Sequence, residues 1–169
     1  MSIVNAILKN HFKLMEERGW DKTYWFFDLH GTILKPNYKA GQIPKEFYPY
    51  AKEALQFISK LSDVVMVIYT CSHPHEIAEY VELFTDADIK FDFINENPEV
   101  ITDANGYGCY DKKPYMNVLF EDKAGFDPET EWKLVLFLMQ ERYGKVPHVL
   151  EFNTAEKMAE AIKLNRVIK

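Results

Sequence analysis

Residues 24–34 read Tyr24-Trp25-Phe26-Phe27-Asp28-Leu29-His30-Gly31-Thr32-Ile33-Leu34. The aromatic run Tyr24–Phe27 has no polar alternation. It therefore fits a short strand buried on both faces, as in a parallel sheet, better than a half-solvated strand. The run stops at an acid, and a histidine, a glycine and a threonine follow at once.

The same arrangement recurs along the chain. Val64–Tyr69 is a second apolar run, rich in β-branched residues, and leads into Thr70 and Ser72. Val118–Phe120 leads directly into Glu121 and Asp122, and Phe91–Ile94 is a weaker strand candidate. Helical periodicity fills the intervals. Ile3, Val4, Ile7, Leu8, Phe12 and Met15 mark a first helix, with Gly19 as its stop. Ala51, Ala54, Leu55, Ile58 and Leu61 mark a second. Pro74 opens a third, with Glu76 near its positive end and Ile77, Tyr80, Val81 and Phe84 on its apolar face. Trp132, Val135, Leu136 and Met139 mark a fourth that stops near Gly144. Val149 to Phe152 reads as a last strand, and Ala155, Met158, Ala159 and Ile162 as a final helix. Thr102–Tyr115, with Gly106, Gly108 and Pro114, is a loop or hairpin.

Strands alternating with helices predict an α/β fold, a Rossmann-like parallel sheet with helices on both faces, in one domain spanning residues 1–169. In such sheets ligands bind beyond the carboxyl ends of the strands. The residues found there are Asp28, His30 and Thr32, then Thr70 and Ser72, then Lys113, Glu121 and Asp122. Carboxylates, hydroxyls and an ammonium on one edge suit a phosphate held together with a divalent cation.

Composition narrows the class. The chain is 47% hydrophobic and 15% aromatic, which fits a packed core and not a disordered segment. No apolar run approaches the ~20 residues of a membrane helix. The first twenty residues carry no signal-peptide pattern, so a cytoplasmic location is the default expectation. Twenty basic against 26 acidic residues, a net charge of −6, argues against broad nucleic-acid binding. Cys71 and Cys109 make no metal spacing and are expected as free thiols.

Asp28-Leu-His-Gly-Thr-Ile-Leu resembles the first motif of haloacid dehalogenase (HAD) phosphatases, usually DxDGT[LV]. Val65–Thr70 resembles the second motif, Lys113 in KKPYMNVLFED the third, and Glu121-Asp122 the acidic fourth. The four stand in order across residues 24–127. The KPY…VLFEDKAG stretch is also similar to phage and bacterial HAD proteins and to the phosphatase half of polynucleotide kinases, where the acidic pair usually reads DD. The resemblance implies a Mg²⁺-dependent phosphomonoester hydrolase. Asp28 would attack phosphorus and become an aspartyl-phosphate. Mg²⁺ would be held by Asp28, the His30 backbone carbonyl and Asp122, with Glu121 helping. Thr70 and Lys113 would bind phosphoryl oxygens.

One position departs from that pattern. His30 stands where most HAD phosphatases carry a second Asp, the general acid and base. Histidine can do both jobs, since its ordinary pKa is about 6.5. The alternative is that His30 disables the second step, leaving a slow or inactive module that binds phosphate. The intervals Asp28–Thr70 and Thr70–Lys113 hold no cap domain. By resemblance, capless members act on macromolecular ends, or on small molecules with a neighbouring subunit closing the site. Lys35–Tyr50, with Lys35, Lys39, Lys45 and several tyrosines, should form a short flap, suited to a nucleotide or nucleic-acid end or simply solvated.

Other candidates carry plainer readings. Lys112 competes with Lys113, and Ser72 with Thr70. His73 and His75 form an HxH without a third ligand at suitable spacing. Asn95 and Asn97 read as turn residues that could touch substrate. Asp127 either supports the metal site or starts the helix ahead of Pro128.

Overall fold

The computed structural model of the chain describes residues 2–106 and 108–144. Its elements are α1 (Ile3–Arg18), β1 (Thr23–Phe27), α2 (Ala51–Ile58), β2 (Val64–Ile68), α3 (Pro74–Asp86), β3 (Phe93–Ile94), β4 (Val118–Phe120) and α4 (Glu131–Tyr143). The strand and helix expected after residue 144 lie outside the described residues. The four strands form one parallel sheet in the order β3-β2-β1-β4. The α/β class with a Rossmann-like parallel sheet is therefore as the sequence implied. Among the described residues, no helix is long and apolar enough to cross a membrane.

The two apolar runs form the two central strands. All five residues of β2 are buried, as are four of the five in β1. A strand covered on both faces needs no polar alternation, which is why these segments read as continuous apolar runs. β3 is shorter than the sequence suggested, two residues in place of four.

Connection handedness then sets the layers. The steps β1–α2–β2 and β2–α3–β3 move one way along the sheet, so right-handed crossovers put α2 and α3 on the same face. Trp25 and Phe27 point into that face and join one core with Leu8 of α1, Leu55 of α2, Phe84 of α3 and Trp132 of α4. The step from β3 back to β4 crosses in the opposite direction. Phe26, Val65 and Val67 form the core of the second face, where Met116 from that connection packs on them.

Helix ends follow local chemistry. Ser2 caps α1 through the backbone N–H of Asn5, and Gly19 ends the helix in the left-handed region at φ 61°. Pro74 opens α3, where the Glu76 carboxylate accepts the His73 backbone N–H at 2.9 Å. Glu131, buried at the start of α4, accepts hydrogen bonds from the Ser2 hydroxyl and from the backbone N–H of Val4 and Asp127, tying α1 to α4.

The buried stripe of α1 is Val4, Leu8 and His11, whereas Ile3 and Ile7 stay about 40% exposed. His11 sits among Phe12, Trp20 and Trp25, and its Nε2 has no hydrogen-bond partner among the described residues. Burial pushes its imidazole down to about 4, against a smaller opposing pull from Asp63. The unfolded chain, with an ordinary histidine near 6.5, binds the proton first as pH falls. Stability is therefore lost as pH drops from about 6.5 towards 4. The expected loss between pH 7.5 and pH 5 is about 2 kcal/mol in urea unfolding. His11→Phe should flatten that pH dependence, and a uniform packing cost cancels in the comparison. An unchanged slope would remove His11 as its cause.

Candidate active site

Asp28 follows β1 directly, and its backbone N–H donates to Phe120 O at 3.0 Å. Because β1 and β4 are adjacent and parallel, the acids that follow them end on the same edge. One carboxylate oxygen each from Asp28, Glu121 and Asp122 lies within 4.8 Å of the others. All three side chains are half-buried.

Thr32 joins the two strand ends. It is fully buried, donates its hydroxyl to Asp28 Oδ2 at 3.2 Å and accepts the Asp122 backbone N–H at 3.0 Å. Its own carbonyl accepts from Trp132 Nε1 at 2.8 Å, which fastens the loop to α4. The turn between Asp28 and Thr32 requires Gly31. Its φ is +78°, and a Cβ there would stand 2.9 Å from Asp122 Oδ2.

The acids feel one another. Burial raises the Asp28 carboxyl, with Asp122 adding to the rise, while the Leu29 backbone and the Thr32 hydroxyl oppose it. Burial and the hydrogen bond with Asp122 raise Glu121. Burial also pushes Asp122 upward, but the hydrogen bonds with Glu121 and Lys123 outweigh it and hold Asp122 low. Lys123 reaches Asp122 at 3.1 Å and Glu121 at 3.6 Å. Among the described residues, the site thus concentrates negative charge beyond what the Lys123 ammonium balances, and the three acids offer oxygen donors. That donor set fits a hard divalent cation such as Mg²⁺.

His30 lies on the same loop. Its Nε2 is 2.6 Å from the Tyr80 hydroxyl, with the rings edge-on at 5.5 Å. Burial lowers its pKa, Glu76 pulls it up and Lys123 pushes it down. His30, Tyr38, Lys39, Glu76, Tyr80 and Lys123 line an open cleft of about 590 Å³ beside the acids. One wall is the flap. There Lys35 N donates to Glu46 O and Tyr48 N to Ile33 O, so the segment folds back on itself. Lys35 itself pairs with Glu46 at 2.9 Å, whereas Lys39 lines the cleft.

No family model matches the chain, and no curated protein does. A conserved protein from Bacteroides thetaiotaomicron, of solved structure, is similar over 72% of this chain and 92% of its own, with a TM-score of 0.53. At 17% identity, that similarity shows the fold alone.

Thr70 stands two residues beyond the carboxyl end of β2, at the edge where the sequence implied it. Its hydroxyl meets Ser72 Oγ at 2.9 Å, so the two candidate hydroxyls form a pair. Asn95, in the left-handed region at φ 57°, clamps Thr70: its amide accepts the Thr70 N–H at 2.7 Å and donates to the Thr70 carbonyl at 2.8 Å. Lys113 is exposed, and among the described residues no ion pair links it to the acids. The cation that the structure brings there is Lys123, which the sequence reading passed over although it directly follows the acidic pair. Asp127 lies in the turn ahead of α4, where its side chain accepts from the Thr130 hydroxyl and the Glu129 backbone N–H. His73 and His75 stack on each other at 5.7 Å. Both cysteines are free and exposed.

The clash at Gly31 makes a test of the acidic geometry. Gly31→Ala should weaken Mg²⁺ binding in calorimetry roughly tenfold, the scale of a disturbed supporting contact. Gly41→Ala is the control, because its φ is +71° with nothing within 4 Å of the new Cβ. Equal behaviour of the two variants would assign the effect to backbone strain alone.

Proposed function

We propose that the chain is a Mg²⁺-dependent phosphomonoester hydrolase of the HAD type, with Asp28 as nucleophile and nucleotides or nucleic-acid ends as the substrate class. The observation that carries this reading is the convergence of Asp28, Glu121 and Asp122 within 4.8 Å at two adjacent strand ends, joined by Thr32.

The residues have distinct tasks. An Asp28 oxygen attacks phosphorus while the ester P–O bond breaks, and the departing alkoxide takes a proton from His30. Neutral His30 then removes a proton from water, whose oxygen attacks the aspartyl-phosphate. Inorganic phosphate leaves and Asp28 is restored. Asp28, Asp122, Glu121 and the His30 carbonyl would hold Mg²⁺, which supplies charge neutralisation between an anionic nucleophile and an anionic ester. Thr70 and Lys113 take phosphoryl oxygens in this scheme, with Lys123 as a second cation at the cleft. The depressed His30 suits the base step more than the acid step.

The test is phosphate release from a panel of nucleotides, simple alkyl and aryl phosphates, and 3′- and 5′-phosphorylated oligonucleotides, with Mg²⁺ and with chelator. Release only with Mg²⁺ supports the proposal, and the best substrate fixes the class. No release, with phosphate still bound in calorimetry, would leave a phosphate-binding module and remove the hydrolase.

A further inference from the structure

Tyr38 stands at the tip of the flap and is 94% exposed, yet it lines the cleft beside the acids. Its backbone lies in the left-handed region at φ 51°. Tyr50, Asp88 and Asn95 share that conformation, and each has a local reason. Aspartate and asparagine tolerate it, and Tyr50 precedes α2 with its ring 5.7 Å from the Lys133 ammonium. Among the described residues, no such partner holds the Tyr38 ring, which is left almost bare.

The tip that carries it is nevertheless braced. Asn37 Oδ1 accepts the Lys39 backbone N–H at 3.1 Å, Asn37 Nδ2 donates to Gln42 O at 3.1 Å, and the Gln42 backbone N–H donates to Lys39 O at 3.3 Å. Pro36 and Pro44 stiffen the approach on either side. A ring held ready in this way offers a flat apolar surface at little ordering cost on binding. The cleft it lines, about 590 Å³, has the volume of a site for one small molecule. The charges point the same way. Of the cations lining the cleft, Lys123 already meets Asp122 and Glu121, which leaves Lys39, and Glu76 lines the same space. A nucleic-acid strand needs a row of cations for its phosphates, whereas a single nucleotide places one phosphate at the acids and presents a base beyond it.

We propose that Tyr38 is the specificity residue of the cleft, stacking on the base of a free nucleoside monophosphate whose phosphate lies beside Asp28. This deepens the hydrolase reading and rests on it for the reacting end of the ligand. Every base has a π-face, so the stack selects nucleotides over sugar or alkyl phosphates and discriminates little among the bases.

Two phosphonates serve as probes, because carbon in place of the ester oxygen prevents turnover. They are an adenosine 5′-phosphonate and ethylphosphonate, each titrated by calorimetry with Mg²⁺ present. The wild type should bind the adenosine probe more tightly. Tyr38→Asn, which suits the left-handed backbone, should weaken that probe roughly tenfold, the scale of one lost base stack, and leave ethylphosphonate unchanged. Tyr38→Phe keeps the ring and should keep the preference. In turnover, Tyr38→Asn should raise KM for adenosine monophosphate with kcat little changed, and leave glycerol phosphate unaffected. Equal affinity of the wild type for the two probes, a preference that survives Tyr38→Asn, or equal weakening of both probes overturns the proposal. So does a phosphorylated oligonucleotide that is cleaved better than the mononucleotide. A ring-dependent preference in a protein that hydrolyses no monophosphate supports Tyr38 and refutes the hydrolase reading. Turnover without the preference does the reverse, so the two failures are separable.

Discussion

Asp28→Asn is expected to reduce phosphate release on the order of 10⁴-fold or more, while leaving the fold intact. The amide is a poor nucleophile, and no neighbouring carboxylate can take its place. Glu121 and Asp122 follow β4, and only Asp28 receives the Thr32 hydroxyl. The substitution is almost isosteric and keeps an oxygen for that bond. It also removes one of three crowded carboxylates, so the thermal midpoint without Mg²⁺ should hold or rise. Stabilisation by added Mg²⁺ should shrink. Loss of activity with a lowered midpoint would indicate a folding defect, and retained activity would exclude Asp28 as nucleophile. The combination of lost turnover, retained stability and weakened Mg²⁺ response is what a nucleophile that also holds the metal predicts.

The strand-end rule explains how much of this site was legible. Once Tyr24–Phe27 and Val118–Phe120 are taken as parallel neighbours, Asp28, Glu121 and Asp122 must share an edge, and the structure places them so. Thr70 follows from β2 in the same way. Loop residues do not have this constraint. Lys113 stands on a bend five residues before β4, where sequence spacing does not set direction, while the single 3-10 turn Asp122–Ala124 carries Lys123 back onto the acids. Tyr80 was legible as an apolar helix position, but the destination of its hydroxyl depends on how α3 docks. His11 occupies a core position on α1, where the stripe Ile3, Val4, Ile7, Leu8, Phe12 and Met15 implied an apolar face. Periodicity identifies a buried face and does not report a buried polar atom within it. Asn95 is a turn residue as read, but its side chain also completes the rung that β3 would have supplied had it continued.

Trp132 carries the second large effect, and it links core packing to chemistry. The side chain is fully buried, stacks on Phe120 at 5.5 Å and Phe27 at 6.4 Å, and meets Phe126 edge-on at 5.0 Å. Trp132→Ala should cost about 3–5 kcal/mol in urea unfolding, the range for deleting a large buried aromatic. Trp132→Phe keeps most of the stack but leaves the buried Thr32 carbonyl without its partner, a cost of about 1–3 kcal/mol. Trp25 makes a matched control. It is equally buried, and its Nε1 donates to Thr23 Oγ1 at 3.1 Å, at the opposite end of β1 from Asp28. Trp25→Phe should lower stability without altering Mg²⁺ affinity. Trp132→Phe should lower both, because Thr32 holds Asp28 and Asp122 together and Trp132 holds Thr32. If the two variants change Mg²⁺ affinity equally, the tether through Thr32 is wrong, and the acids are placed by the strands alone.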